Sequence, residues 1–278
     1  MRTRATAAAT VISGALALSA FVMPTAQAAD SSGTPYTLDV SFSNLKIAPA
    51  IKVGTTNEVS TTYTYTLTHG SDVDTTAGDF YSDAYLYRGT LDDPTKTLEG
   101  DDFATCTATS TTTATCKGII DIYPADGDLR NADAGGWSVA AEAYAFNGQD
   151  PNNPDMSKVG FKDQGGLATT LVQRYSKLTA NAGPEPVVKG RTLTTTGKLS
   201  RANWEDNQYH GYTGQPVKLQ FRKAGTSTYT TVKTVYSDSY GNVKATATAQ
   251  YDGYWRFSFA GTSTTPAVNA TGDYVDVQ

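Results

Sequence analysis

Residues 251–261 read YDGYWRFSFAG, an Asp-Gly pair followed by aromatic and polar side chains in strict alternation. In an extended chain successive side chains point to opposite faces. Trp255, Phe257 and Phe259 then share one face and Tyr254, Arg256 and Ser258 the other, which predicts a half-buried β-strand entered through a turn at Asp252-Gly253. A large ring on an alternating apolar face is core material. The same order, Asp then Gly then Trp with apolar residues at every second position, occurs earlier at Asp133, Gly135, Trp137, Val139 and Ala141. The later copy is one residue shorter between Asp252 and Trp255.

Alternation of this kind runs through the chain: TYTYTLT at 62–68, WSVAAEAYAF at 137–146, TLTTTGKL at 192–199, PVKLQFRK at 216–223 and TTVKTVYS at 230–237. No apolar set recurs every three or four residues, so no helix of ordinary length is expected. Turn residues punctuate the runs: Gly70-Ser71, Asp92-Asp93-Pro94, Asp126-Gly127 and Ser239 to Asn242. Many short strands separated by such turns predict an all-β protein built of Greek-key sandwiches.

The N-terminus carries Arg2 and Arg4, a small-apolar run from Ala5 to Met23 and an A-x-A box at Ala26-Gln27-Ala28. That is the pattern of a cleaved secretory signal peptide, residues 1–28. Thr, Ser and Gly dilute the run below what a membrane span of roughly 20 strongly apolar residues requires. The expected product is secreted and extracellular, without membrane insertion. Cleavage moves the formal net charge from −5 to −7, because Arg2 and Arg4 are lost. An acidic surface disfavours phosphate backbones and no basic run offsets it, so nucleic acid is not an expected partner. The two cysteines, Cys106 and Cys116 in TCTATSTTTATC, suit a disulfide across a short hairpin in an oxidising compartment. Their spacing is not C-x-x-C and no histidine is near, which disfavours a redox or metal role.

Internal repetition sets the domain count. APAIKVGTTNEVSTTYTYTL in the first half and GPEPVVKGRTLTTTGKL in the second run through the same succession of proline edge, apolar strand, glycine turn and alternating strand. Over residues 176–278, Gly197-Lys198-Leu199, Trp204, Gly211-Tyr212, Gly214-Gln215, Val217 to Arg222, Asp238 to Gly241, Gly253 to Trp255 and Gly272 to Val275 carry a family likeness. The segment resembles the immunoglobulin-like module of secreted actinobacterial proteins, many of them of uncharacterised function. Residues 30–172 resemble it more loosely, through strand order and the Asp-x-Gly-x-Trp segment, with the cysteine hairpin as an addition. The resemblance implies fold and secretion and brings no catalytic residues with it. The expected architecture is two tandem immunoglobulin-like Greek-key β-sandwiches after a cleaved signal peptide, residues 29–172 and 173–278.

The strongest recognition candidate is RANWEDNQYHGYTGQ, residues 201–215, between two expected strands. Trp204, Tyr209, His210 and Tyr212 there could stack on sugars or anchor a protein, as loops at the end of a sandwich commonly do. The competing reading buries Trp204 and Tyr212 over the sandwich end. DIYPADGDLRNAD, residues 121–133, gathers Asp121, Asp126, Asp128, Asn131 and Asp133, but it lacks the spacing of the twelve-residue calcium loop and Arg130 intrudes. No metal and no cofactor are assigned. The only histidines, His69 and His210, fall in different expected domains, and no G-x-S-x-G or H-E-x-x-H occurs. SNLK at 43–46 matches S-x-x-K in a strand-like stretch with no K-T-G box after it, which is coincidence.

The sequence therefore predicts a non-catalytic extracellular binding or spacer protein. The alternatives are a carbohydrate or cell-wall binding module working through 201–215, and an extracellular hydrolase whose acids no motif marks. Extracellular polysaccharide or protein are the partner classes left open.

Overall fold

A computed structural model describes residues 33–278; the signal-peptide reading of residues 1–28 lies outside them. The described residues form β-strands with three single 3-10 turns and no α-helix, and no helix is long and apolar enough to cross a membrane. Two compact units result. The first comprises the described residues up to Ile51, with Val59–Ile122 and Gly136–Thr170; the second comprises Lys52–Glu58, Tyr123–Gly135 and Leu171–Gln278.

The strands of the first unit are β1 (Tyr36–Thr37), β2 (Val40–Ile47), β3 (Ala50–Val53), β4 (Val59–His69), β5 (Phe80–Gly89), β6 (Pro94–Leu98), β7 (Thr105–Ala108), β8 (Thr113–Ile122), β9 (Gly135–Ala145) and β10 (Gly160–Arg174), of which Lys52 and Val53, Gly135, and Leu171 to Arg174 fall in the second. One sheet runs β2-β4-β8-β7 and the other β1-β10-β9-β5-β6, with β3 also on β10. With β2 lettered A these are A-B-E-D against G-F-C-C′, the strand partition of an immunoglobulin-like Greek key, and β1 and β3 both lie on the G strand. The parallel pairing of β1 with β10 at Tyr36 and Gly160 fits that order, because the first strand switches sheets. The core takes the alternating face of each strand: Tyr63, Tyr65 and Leu67 on β4, Ala84 and Leu86 on β5, Ile120 and Ile122 on β8, Trp137 and Val139 on β9. Cys106 and Cys116 are directly paired residues of β7 and β8 with Cα atoms 4.0 Å apart, and they form the expected hairpin disulfide. The SNLK stretch is a β-bulge in β2, with Asn44 in the left-handed region.

The second unit repeats the plan with β11 (Ser176–Leu178), β12 (Asn181–Gly183), β13 (Thr192–Asn203), β14 (Gln208–Gly211), β15 (Pro216–Lys223), β16 (Thr230–Tyr236), β17 (Asn242–Thr248), β18 (Gly253–Phe259), β19 (Val268–Asn269) and β20 (Asp273–Val275). β11, β12, β14 and β17 all pair with β13 in one sheet; β16-β15-β18 with β19 and β20 make the other. That is A-B-E against C′-C-F-G. Trp255, Phe257 and Phe259 project into a core with Leu193, Leu199, Val217, Leu219 and Val243, as the alternation predicts. Edge strand β16 is exposed along almost its whole length, and Lys233 reaches across it to the carbonyl of Thr246 at 3.2 Å. A charged side chain on an open edge discourages pairing with another chain.

Candidate functional site

The connection 201–215 begins inside β13, turns at 204–207 and returns as β14. Trp204 is 3% exposed. Its indole N–H donates to the carbonyl of Gly54 at 2.9 Å, and its backbone N–H donates to Asn131 Oδ1 at 3.1 Å. The backbone N–H of Asn131 donates in turn to Glu205 Oε1 at 2.9 Å, and the Asn131 side-chain amide donates to Asn203 Oδ1. Segments 52–58 and 123–135 are thereby tied to the connection within the second unit. The turn is shaped by its own side chains: Asp206 Oδ1 accepts from the Gln208 N–H, and Asn207 adopts a left-handed φ of 58°. Short polar side chains are the non-glycine residues best suited to that region.

The other three candidates lie close by and are engaged. Lys177 Nζ sits 3.5 Å from the centre of the Tyr209 ring. The Arg201 guanidinium lies 3.8 Å over Tyr212, whose ring packs edge-on against Phe259 in the core. His210 Nε2 and Asp206 Oδ2 are 2.6 Å apart on an exposed turn. Burial, with a smaller contribution from Tyr175, pushes the Tyr209 hydroxyl above its ordinary pKa. Trp204, Tyr209, His210 and Tyr212 thus come together, but the large ring is inside and the two tyrosine faces are covered by cations.

The acids of 121–133 are likewise used locally. Asp128 Oδ2 accepts from the Tyr123 N–H at 2.7 Å, Asp133 Oδ2 from the Arg130 N–H at 2.7 Å, and Asp121 Oδ2 from the Asp101 N–H at 3.2 Å. Among the described residues no three His, Cys, Asp or Glu side chains converge as metal ligands would.

Sequence reasoning had no means of naming the acid pair that the first unit assembles. Asp83 on β5 and Glu142 on β9 stand directly opposite in register, 7% and 5% exposed. Burial raises both carboxyls. Asp83 is pushed up to about 7, opposed by hydrogen bonds from the Tyr63 hydroxyl and the Ala84 N–H and assisted by Glu99. Glu142 is pushed up to about 8 by burial, then by Glu99 and Asp83. The Tyr65 hydroxyl meets Ser82 Oγ at 2.6 Å, which itself donates to the carbonyl of Glu142. Two carboxyls side by side are the chemistry of glycoside hydrolysis, but these are closed off from any saccharide by their burial. A shallow groove of about 670 Å³ on the second unit, lined by Thr179, Asn181, Thr196, Asp238, Asn242 and Lys244, gathers hydroxyls and amides without a buried ionisable group.

No family model and no curated protein matches the chain. Solved structures to which it is similar include the adhesin InvE of Yersinia pseudotuberculosis (12% identity, TM-score 0.27, covering 85% of this chain and 60% of that one). The D0-D1 domain of intimin is similar at 15% identity and TM-score 0.27, over 84% of this chain and 98% of that one. The Escherichia coli adhesin FdeC is similar at 13% identity and TM-score 0.30, over 88% and 66%. The chain thus spans about three-fifths of InvE. The fold assignment rests on the strand pairing described above, not on these likenesses.

Proposed function

We propose that the chain is a secreted, non-catalytic extracellular module of two tandem immunoglobulin-like domains, residues 29–172 and 173–278, acting as a spacer or binding unit. The observation that carries this reading is the state of the 201–215 connection. Its one tryptophan is buried and hydrogen-bonded to Gly54, and Lys177 and Arg201 cover Tyr209 and Tyr212. Sugar stacking needs a bare aromatic face, so packing is the first role of these residues. Any ligand contact made by the connection falls to His210 and the uncovered edges of Tyr209 and Tyr212, with Trp204 as their anchor. The Cys106–Cys116 disulfide suits an oxidising compartment.

Acrylamide quenching of the mature protein, run beside co-sedimentation with cellulose, chitin and purified cell wall, tests the reading. A spacer shields all of Trp137, Trp204 and Trp255, which are 2%, 3% and 4% exposed. Retention on a neutral polysaccharide that Tyr209→Ala or His210→Ala abolishes would instead make the connection a carbohydrate site. Turnover of a chromogenic glycoside would overturn the non-catalytic reading altogether.

A further inference from the structure

The outer face of the sheet formed by β15 and β18 carries chemistry that neither the connection nor the acid pair uses. Register places Lys218 opposite Ser258, Gln220 opposite Arg256, Arg222 opposite Tyr254, and Tyr254 opposite Tyr274, all on the face turned away from Trp255, Phe257 and Phe259. The two arginines interleave with tyrosine rings. Arg222 lies 4.0 Å over Tyr254 and 5.3 Å from Tyr229; Arg256 lies 3.7 Å over Tyr229; Tyr254 meets Tyr274 edge-on at 5.2 Å. Arg256 Nε donates to Gln220 Oε1 at 2.9 Å, and Arg222 Nη1 to the carbonyl of Thr226. Each guanidinium is therefore held in place while using one of its five N–H groups. Neither meets a carboxylate among the described residues; the acids of this region, Asp252 and Asp276, act on Tyr274 at the far end of the row.

The overall charge conceals this face. The second unit holds 14 Lys and Arg against 11 Asp and Glu, a net +3, whereas the rest of residues 29–170 holds 6 against 16, a net −10. Unpaired, stacked guanidiniums on a unit of positive charge call for an anionic partner, and Arg suits carboxylates by its planar fork. β15 and β18 are paired on both sides, so no peptide can add as a strand here and recognition falls to side chains. Between the cations stand hydroxyls and an amide: Ser258, Tyr254, Tyr274 and Gln220.

We propose that this face binds an acidic polysaccharide of the polyuronate type, its carboxylates on Arg222, Arg256 and Lys218 and its hydroxyls on the groups between them. The inference rests on the extracellular reading but uses a surface separate from the 201–215 connection, so quenching and neutral-polysaccharide binding can fail or succeed independently of it.

The test is affinity electrophoresis of the mature protein in gels containing polygalacturonate at low ionic strength. The expected result is retardation of an acidic protein by an acidic polymer, abolished by high salt. Arg222→Gln and Arg256→Gln each weaken binding about 10-fold, equivalent to about 1.4 kcal/mol. Lys117→Gln, an exposed charge on the first unit, leaves it unchanged. Should either arginine variant lose its near-ultraviolet circular dichroism, Lys218→Gln decides the matter, because Lys218 is exposed and stacks on no ring among the described residues; it is expected to give a smaller but measurable loss. No retardation, retardation indifferent to these substitutions, or equal binding to double-stranded DNA would overturn the proposal. So would salt-reversible self-association in place of polymer binding, which would assign the face to the acidic half of a second copy.

Discussion

Raising the pH should destabilise the first unit through Asp83 and Glu142. In the unfolded chain these carboxyls lose their protons near the ordinary values of 3.8 and 4.5; in the folded unit they keep them to about 7 and about 8. Between those limits the folded state binds more protons than the unfolded one, so stability falls as pH rises and is flat only below about pH 3. From pH 5 to pH 9 the loss is about 3 kcal/mol through Asp83 and about 4 kcal/mol through Glu142. Together that is a large share of the roughly 5–15 kcal/mol that holds an ordinary domain. Scanning calorimetry across this range should show the transition of the first unit moving down with pH. The Tyr144 hydroxyl donates to Glu142 at 3.4 Å, and Glu142→Gln keeps the shape and an accepting oxygen while removing one charge, so it should raise the transition at pH 8 and remove about half of the pH dependence. A first-unit transition that is constant or climbs between pH 5 and pH 9, or a Glu142→Gln variant less stable than the parent at pH 8, would refute the reasoning.

Three further outcomes each follow from a single contact. Replacing both cysteines by serine should cost about 2–3 kcal/mol, the chain-entropy value for a short loop, read as a drop in the urea midpoint of the first unit. Gly118→Ala places a Cβ against the Tyr63 hydroxyl and ring, which lie over Gly118 in register; a loss of about 1–3 kcal/mol is expected, and the pH dependence set by Asp83 should change with it. An unchanged midpoint would show that Tyr63 has room to move. Trp204→Phe keeps most of the buried ring but leaves the Gly54 carbonyl without its donor, costing about 1–3 kcal/mol in the second unit with no change in the first, by the same calorimetric scan.

The alternating runs were legible because one face of each strand is buried and the other wet. PVKLQFRK became β15 over the same eight residues, and TTVKTVYS and YWRFSF became β16 and β18 to within a residue. β5 was not legible for the converse reason. Ala84 and Leu86 are buried on one face, and Tyr85 and Tyr87 on the other. Burial on both faces erases the period of two, leaving FYSDAYLYRG without a pattern. β10, with Gly160, Gly165 and Gly166 among its fifteen residues, lacked the side chains from which a pattern is read.

What brings function-bearing groups together is cross-strand register, which a single strand does not encode. Asp83 and Glu142 are 59 positions apart in sequence, and only the pairing of β5 with β9 sets them opposite. Arg222 and Arg256 stand in stretches whose alternation was read correctly, yet the outward residues of each looked like ordinary solvated positions. Only when β15 pairs with β18, and Tyr229 from just before β16 lies across them, do separate polar positions become one cationic row. The formal charge of the whole chain pointed away from an anionic partner because it sums two units of opposite sign. A net charge describes the far field, whereas a ligand at a sheet face meets the few groups within a Debye length of about 10 Å. Among the described residues no acid pairs with Arg222 or Arg256 on that face, and an acidic protein can hold an acidic polymer there.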